Sequence, residues 1–289
     1  MELGRIGVWL GPIAALPARD EAAAARALEA SGYGALWFGE SPTTREALTH
    51  AAFLLAETER VVVATGIASI WARTPTAAAN GAATLGEAYP GRFVLGLGVS
   101  HAPLVAELGR EYARPLSTMR EYLDAIDATQ YDGPPPQRPV ARVLAALAPK
   151  MLELARDRAQ GAHPYLGTTR HTAMARRVLG SGPLLAPEQG FVLERDPARA
   201  RALGRRHLEP YLQFENYRRN WLRDGFTEDD LARGGSDRLV DELVAWGDDS
   251  AVRTRIEEQL DAGADQVVVQ ALGADPQEQL WRLAGILEL

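Results

Sequence analysis

The sequence has no cysteine. A chain of 289 residues can bury a core large enough to hold without disulfides, so the absence leaves the redox compartment open. Lysine is nearly missing: Lys150 is the single one among 31 basic residues, a coding bias rather than a statement about fold. No apolar run approaches the roughly 20 residues that span a bilayer. Positive charge is not in excess. A net charge of -7 and a pI near 5.4 argue against nucleic acid or an anionic membrane as partner. The N-terminal stretch MELGRIGVWL carries no basic leader and no cleavage site, so no signal peptide is expected and the cytoplasm is the expected location. There is no internal repeat, no low-complexity segment and no set of residues assigned to a metal. What remains is ordinary globular composition, 46% hydrophobic and 24% charged, at a length normal for one α/β barrel spanning 1–289.

Two stretches organise the chain. In Arg92–His101, RFVLGLGVSH, an apolar run ends abruptly in Gly98-Val99-Ser100-His101. It reads as a fully buried parallel strand with polar residues at its C-terminal end, where ligands sit in an α/β barrel. Val61–Arg73, VVVATGIASIWAR, is a β-branched strand that breaks at Gly66 and continues as Ile67-Ala68-Ser69. Further strands are expected at Gly4–Leu10, Ala35–Phe38, Ala141–Leu147, Gly161–Leu166, Gly190–Leu193 and Gln266–Gln270. Helices are expected between them, among them Thr44–Glu59, Pro149–Gln160, Thr169–Leu179 and a long charged one over Asp196–Arg223. Phe226–Gly247 is predicted helical with no strand, and Asp132–Pro139 is a proline-rich loop. Eight strands alternating with helices predict a (β/α)8 TIM barrel with a helical insertion between strands seven and eight. A doubly wound sheet would usually carry a glycine-rich loop after strand one, and Gly11-Pro12-Ile13 contains no G-x-G-x-x-G.

LWFGES after strand two, TGIASIWARTP at strand three, YPGRFVLGLGVSH at strand four and LDAGADQVVVQ at strand eight fall in order over nearly the whole chain. Together they resemble the bacterial luciferase-like superfamily, and within it the oxidoreductases that use a deazaflavin, coenzyme F420. ARPLSTMREYLDAID, NYRRNWLRDGF and GGSDRLVDELVAWGD resemble one actinobacterial subgroup. The resemblance implies a flavin or deazaflavin at the C-terminal mouth of the barrel, exchanging hydride with a small organic substrate such as an alcohol, ketone or enone. It also implies a homodimer, for which Leu48, Ala51, Phe53 and Leu54 on an outer helix offer an apolar stripe.

Residue by residue, Gly66-Ile67 aligns with a strained strand-three bulge of the family, a cis peptide that backs one face of the ring; the plain alternative is an ordinary strand glycine. Ser69 stands where relatives often carry Asn, and its hydroxyl can still bond a ring carbonyl. Glu40, with Ser41 beside it, would accept hydrogen bonds from the polar edge of the cofactor, act in catalysis, or remain a loop carboxylate in water. Ser100 and His101 follow the Gly98 turn. His101 would exchange a proton with substrate, contact a ligand, or merely cap the next helix. The cofactor phosphate needs backbone N–H donors. Gly167-Thr168, before the helix at Thr169, and Ala146, before the helix at Pro149, are the candidates, routine capping being the alternative. Tyr165 joins the cofactor group, and Arg170 could meet an acidic tail. Trp9, Trp71 and His163 would line the substrate pocket or pack as core. The same barrel could instead be a monooxygenase using flavin mononucleotide (FMN), or a non-catalytic barrel that holds the cofactor.

Overall fold

Apolar runs flanked by glycine become strands in the order in which they occur. The computed structural model describes residues 3–289; Met1 and Glu2, the start of the N-terminal stretch read above, lie outside the described residues. Eleven strands form one sheet: β1 (Ile6–Trp9), β2 (Ala35–Phe38), β3 (Val62–Thr65), β4 (Ala68–Ser69), β5 (Phe93–Gly98), β6 (Ala141–Leu144), β7 (Gly161–Ala162), β8 (Leu184–Leu185), β9 (Glu188–Val192), β10 (Val244–Trp246) and β11 (Val267–Ala271). The order is β10-β9-β11-β1-β2-β3-β5-β6-β7-β8, with β4 on β5 and every described pairing parallel.

The sheet curls until its ends meet on one stretch, Leu184–Val192. The Ala186 N–H donates to Ala162 O at 3.0 Å and the Glu188 N–H to Pro164 O at 2.9 Å, toward β7. On the other edge, Asp265 N–H donates to Leu185 O and Val268 N–H to Pro187 O, each at 2.9 Å, toward β11. One bent strand thus serves two neighbours, which gives the curled α/β architecture of a barrel.

Period-two alternation sorts the strand residues into two shells. Along β2, Leu36 and Phe38 join the outer core against the helices, while Ala35 and Trp37 join the inner one with Val62, Ala64, Val94 and Val268. Each fully buried Val or Leu contributes about 1.5–3 kcal/mol. The outer helix Ala47–Glu57 spends its apolar side on this core. Ala51 and Leu54 are buried there, with Leu48 and Phe53 packed against it. The stripe expected to support a homodimer is therefore spent on the barrel itself. Among the described residues no helix is long and apolar enough to cross a membrane.

Three local expectations are corrected. The helix expected over Asp196–Arg223 is two helices, Pro197–Leu208 and Glu215–Arg223, because Pro210 cannot donate a helical hydrogen bond and a short 3-10 turn intervenes. Phe226–Gly247 does carry a strand: Val244–Trp246 pairs with β9, a non-local partner that helical periodicity could not reveal. The bulge at Gly66-Ile67 exists, but no described peptide bond is cis. Ala64 pairs with Val94 and Ala68 with Leu97, so one strand spends an extra residue over that interval. A trans chain absorbs it because the Thr65 hydroxyl both donates to Gly96 O and accepts from Gly96 N–H, each at 2.8 Å. Gly96 is required there, since a Cβ would run into the Thr65 carbonyl oxygen.

Candidate active site

The C-terminal ends of β2, β4 and β5 frame an open cleft of ≈ 500 Å³, lined by Glu40, Ser41, Glu46, Ser69, Ser100 and Leu108. Glu40 builds it. Its Oε1 accepts from the Ala47 N–H at 3.0 Å, its Oε2 from the Ser69 N–H at 2.8 Å, and the Arg73 guanidinium pairs with it. A carboxylate so engaged ties three elements together. Arg73 also donates to Glu46 Oε1 at 2.7 Å. Burial works against ionisation of Glu46, but the Thr49 and Leu48 N–H groups and Arg73 hold its carboxyl down at about 2. Ser100, at φ 55, turns the chain out of β5 in a left-handed conformation that few non-glycine residues adopt. Ile67 packs where a side chain on Gly98 would stand, and its carbonyl accepts the Glu40 N–H at 3.1 Å. The Trp71 indole donates to Val99 O at 2.7 Å, so Trp71 fastens this rim.

The other half of the mouth is aromatic, and part of it comes from the excursion between β9 and β11. The His101 ring stacks on Phe214 at 4.2 Å and 5°, and its Nδ1–H donates to Asn216 Oδ1 at 3.0 Å. Burial lowers the His101 pKa, with the Asn216 bond working the other way. The imidazole is therefore neutral near pH 7, with Nε2 free to take a proton. His101 occupies the N-cap position of Ala102–Glu107 but makes no side-chain cap bond, which leaves the ring to this contact. Tyr165 is a hub. Its hydroxyl donates to Gln270 Oε1 at 2.8 Å and accepts from Tyr211 at 3.3 Å. Trp9 packs on Tyr165 at 4.9 Å.

His163 lies deeper than a pocket residue. It is 1% exposed, stacked with Trp37 at 4.5 Å and Trp9 at 5.5 Å, and donates Nδ1–H to Ala186 O at 2.7 Å. Burial pulls it to about 4, so it is a neutral core ring, which corrects its place in the substrate wall. The anion seat expected at Gly167-Thr168 is closed. Thr168 is fully buried, caps the His171 N–H at 3.0 Å and donates to Asp224 Oδ2 at 2.7 Å. A phosphate there would face a carboxylate. Ala146 packs its side chain in the outer core, while the helix at Pro149 starts with no side-chain cap. The Arg170 guanidinium lies over the Phe226 ring at 5.7 Å.

Sequence reasoning missed Arg73, Glu46, Tyr211, Phe214, Asn216, Tyr217 and Glu188. Glu188 had a signal: it is an acidic residue directly before an apolar run, in EQGFV, that proves to be part of the strand. It is 1% exposed. Burial raises its carboxyl to about 8, with the Leu166 N–H working the other way.

The family model for luciferase-like monooxygenase matches residues 3–266. A segment of 129 residues is 37% identical to a protein of Mycobacterium tuberculosis described as a coenzyme F420-dependent oxidoreductase, covering 44% of this chain and 37% of that relative's length. The chain is also 22% identical over 302 residues to the 5,10-methylenetetrahydromethanopterin reductase of Methanolobus tindarius, covering 90% of this chain and 93% of that one. Its fold superposes with a TM-score of 0.79 and 16% identity on an F420-dependent secondary alcohol dehydrogenase in complex with an F420-acetone adduct, over 98% of this chain and 97% of that one. With the curled parallel sheet and the mouth site in place, the chain belongs to the luciferase-like monooxygenase family.

Proposed function

We propose that the chain is an oxidoreductase using coenzyme F420 on a small organic substrate, an alcohol–ketone pair or an enone. The observation that carries this reading is the hydroxyl-lined cleft beside the β3–β4 bulge, in a chain whose relatives include F420-dependent enzymes. The residues present suit the ring end of such a cofactor. Ser41, Ser69 and Ser100 offer hydroxyls to a polar edge, Ile67 offers an apolar face, and Glu40 fixes the Ser69 backbone. For the phosphate, the uncapped helix start at Pro149, after Ala146, suits better than the closed seat at Thr168. Coenzyme F420, when bound, supplies a hydride donor or acceptor.

The chain's own part is orientation, exclusion of water and one proton. His101, held by Asn216 and Phe214, presents a neutral Nε2 that takes or returns the substrate proton. We read the helices between β9 and β11 as an insertion on the barrel that walls the substrate pocket. Titrating the apo-protein with coenzyme F420 and with FMN, followed by absorbance, tests the reading. Tighter binding of F420, then turnover with cyclohexanol or cyclohexenone, is expected; equal affinity or a preference for FMN overturns it.

A further inference from the structure

Among the buried polar groups that this chemistry leaves idle, Glu188 stands out. Its Oε2 accepts from the Leu166 N–H at 3.2 Å, while its buried Oε1 has no hydrogen-bond partner. Buried polar atoms without partners are uncommon and call for an account. We propose that Glu188 is the anchor for the oxygen of an uncharged substrate, inside the aromatic mouth of the barrel; this rests on the oxidoreductase reading above.

Four features of the surroundings fit that role. Leu166 is held at φ 54, a left-handed conformation rare for a branched side chain, and this backbone presents its N–H to Glu188. The same residue is gripped from the other side, since the Trp221 indole donates to Leu166 O at 3.1 Å. Gly190, two residues along β9, brings no side chain against Oε1; a Cβ there would stand 3.5 Å from it and press on Leu272 Cδ1 at 3.2 Å. Finally, Tyr165, Tyr211 and Tyr217, whose hydroxyl pKa values are raised first by burial and further by the nearby Glu188, contribute rings rather than cations.

The charge pattern selects the substrate class. Glu188 is protonated at neutral pH, so Oε1 side of the carboxyl offers a neutral O–H donor. His207, whose Nε2 lies 3.5 Å from the Tyr165 hydroxyl, is held near 4 by burial and is neutral too. The three arginines of the adjacent helix are engaged elsewhere, Arg218 with Glu228, Arg219 with Glu215 and Arg223 with Asn220. An anionic substrate would find no cation here. A carbonyl or hydroxyl oxygen on an apolar body finds one donor and aromatic walls.

The test reads the carboxyl itself. Infrared difference spectra of the full chain are recorded at about pH 6, some two units below the Glu188 pKa, with cyclohexanone and with methylcyclohexane, which lacks the oxygen. Samples are prepared without cofactor and with coenzyme F420. The protonated-carboxyl stretch of Glu188 is the band that Glu188→Gln removes; should that variant not fold, the band is identified in the unaltered chain by its loss above about pH 8. Cyclohexanone should shift the band in at least one sample while methylcyclohexane leaves it in place. Glu188→Leu should bind cyclohexanone about tenfold more weakly and methylcyclohexane no more weakly. No such band, no shift in either sample, or an equal shift with both probes overturns the proposal. A shift without cofactor, together with no binding of F420, would instead overturn the cofactor reading and spare this one.

Discussion

Glu188→Gln keeps the side chain's shape and removes its proton equilibrium. Burial raises this carboxyl from 4.5 to about 8 in the folded chain. A group raised in this way contributes stability that is fully present below its unfolded pKa and is lost as pH climbs through the folded one. At 1.36 kcal/mol per unit, the whole loss is roughly 5 kcal/mol, of which about half falls between pH 5 and pH 7. Glutamine carries none of that dependence. His163 and His207, both lowered to about 4 by burial, pull the other way, since their contribution is present above the unfolded value and lost as pH falls through about 4. Both proteins share those histidines, so the difference between them isolates Glu188 as long as the sites are not coupled. The assay is urea unfolding of both proteins at pH 5, 6 and 7, followed by tryptophan fluorescence. The variant's advantage over the unaltered chain should grow by about 2–3 kcal/mol across that window. A difference that stays flat within about 0.5 kcal/mol would refute the raised pKa, and the neutral-acid role with it.

His101→Ala should lower kcat by about 10²–10⁴-fold with cofactor affinity nearly kept, and Asn216→Ala by less, since it only orients the ring; steady-state kinetics on any active alcohol or enone decide, and an unchanged rate removes His101 from the reaction. Gly96→Ala should cost about 3 kcal/mol or more, because backbone rather than a flexible side chain meets the new Cβ, whereas Gly285→Ala, in an open helix position, should stabilise by about 0.5–1 kcal/mol; urea midpoints of the two variants should move in opposite directions. Asp224→Ala should cost about 1–3 kcal/mol and open the helix start at Thr168, so that inorganic phosphate raises the variant's Tm and leaves that of the unaltered chain alone.

The strands were legible because a parallel sheet covered on both faces needs continuous apolar runs, and Phe93–Gly98 and Val62–Thr65 are such runs. The rule that barrel sites lie at strand C-termini likewise brought Glu40, Ser69 and Ser100 to one cleft. The role expected of Glu40 was not legible, because it depends on Arg73 and on the Ala47 and Ser69 N–H groups, which approach only in the fold. The aromatic half of the mouth was hidden for the same reason. Its contacts join residues far apart in sequence, His101 to Phe214 and Leu166 to Trp221, and no local period announces them. Glu188 escaped because a charged residue inside a strand contradicts the pattern by which strands are recognised, a conflict that tends to mark functional positions.

The place of β11 has a consequence for how the chain comes off the ribosome. Ile6, near the start, pairs with Val267, near the end, and β9 also waits for β11. Until β11 is synthesised, β1 and β9 each have an unpaired edge, and that of β1 carries the β-branched Ile6 and Val8. Such edges recruit other chains, and pairings this distant form slowly. The polypeptide therefore passes through a long interval in which most of its sheet exists but cannot yet close. Crowding by neighbouring nascent chains, rather than the stability of the finished barrel, would then limit the yield of soluble protein.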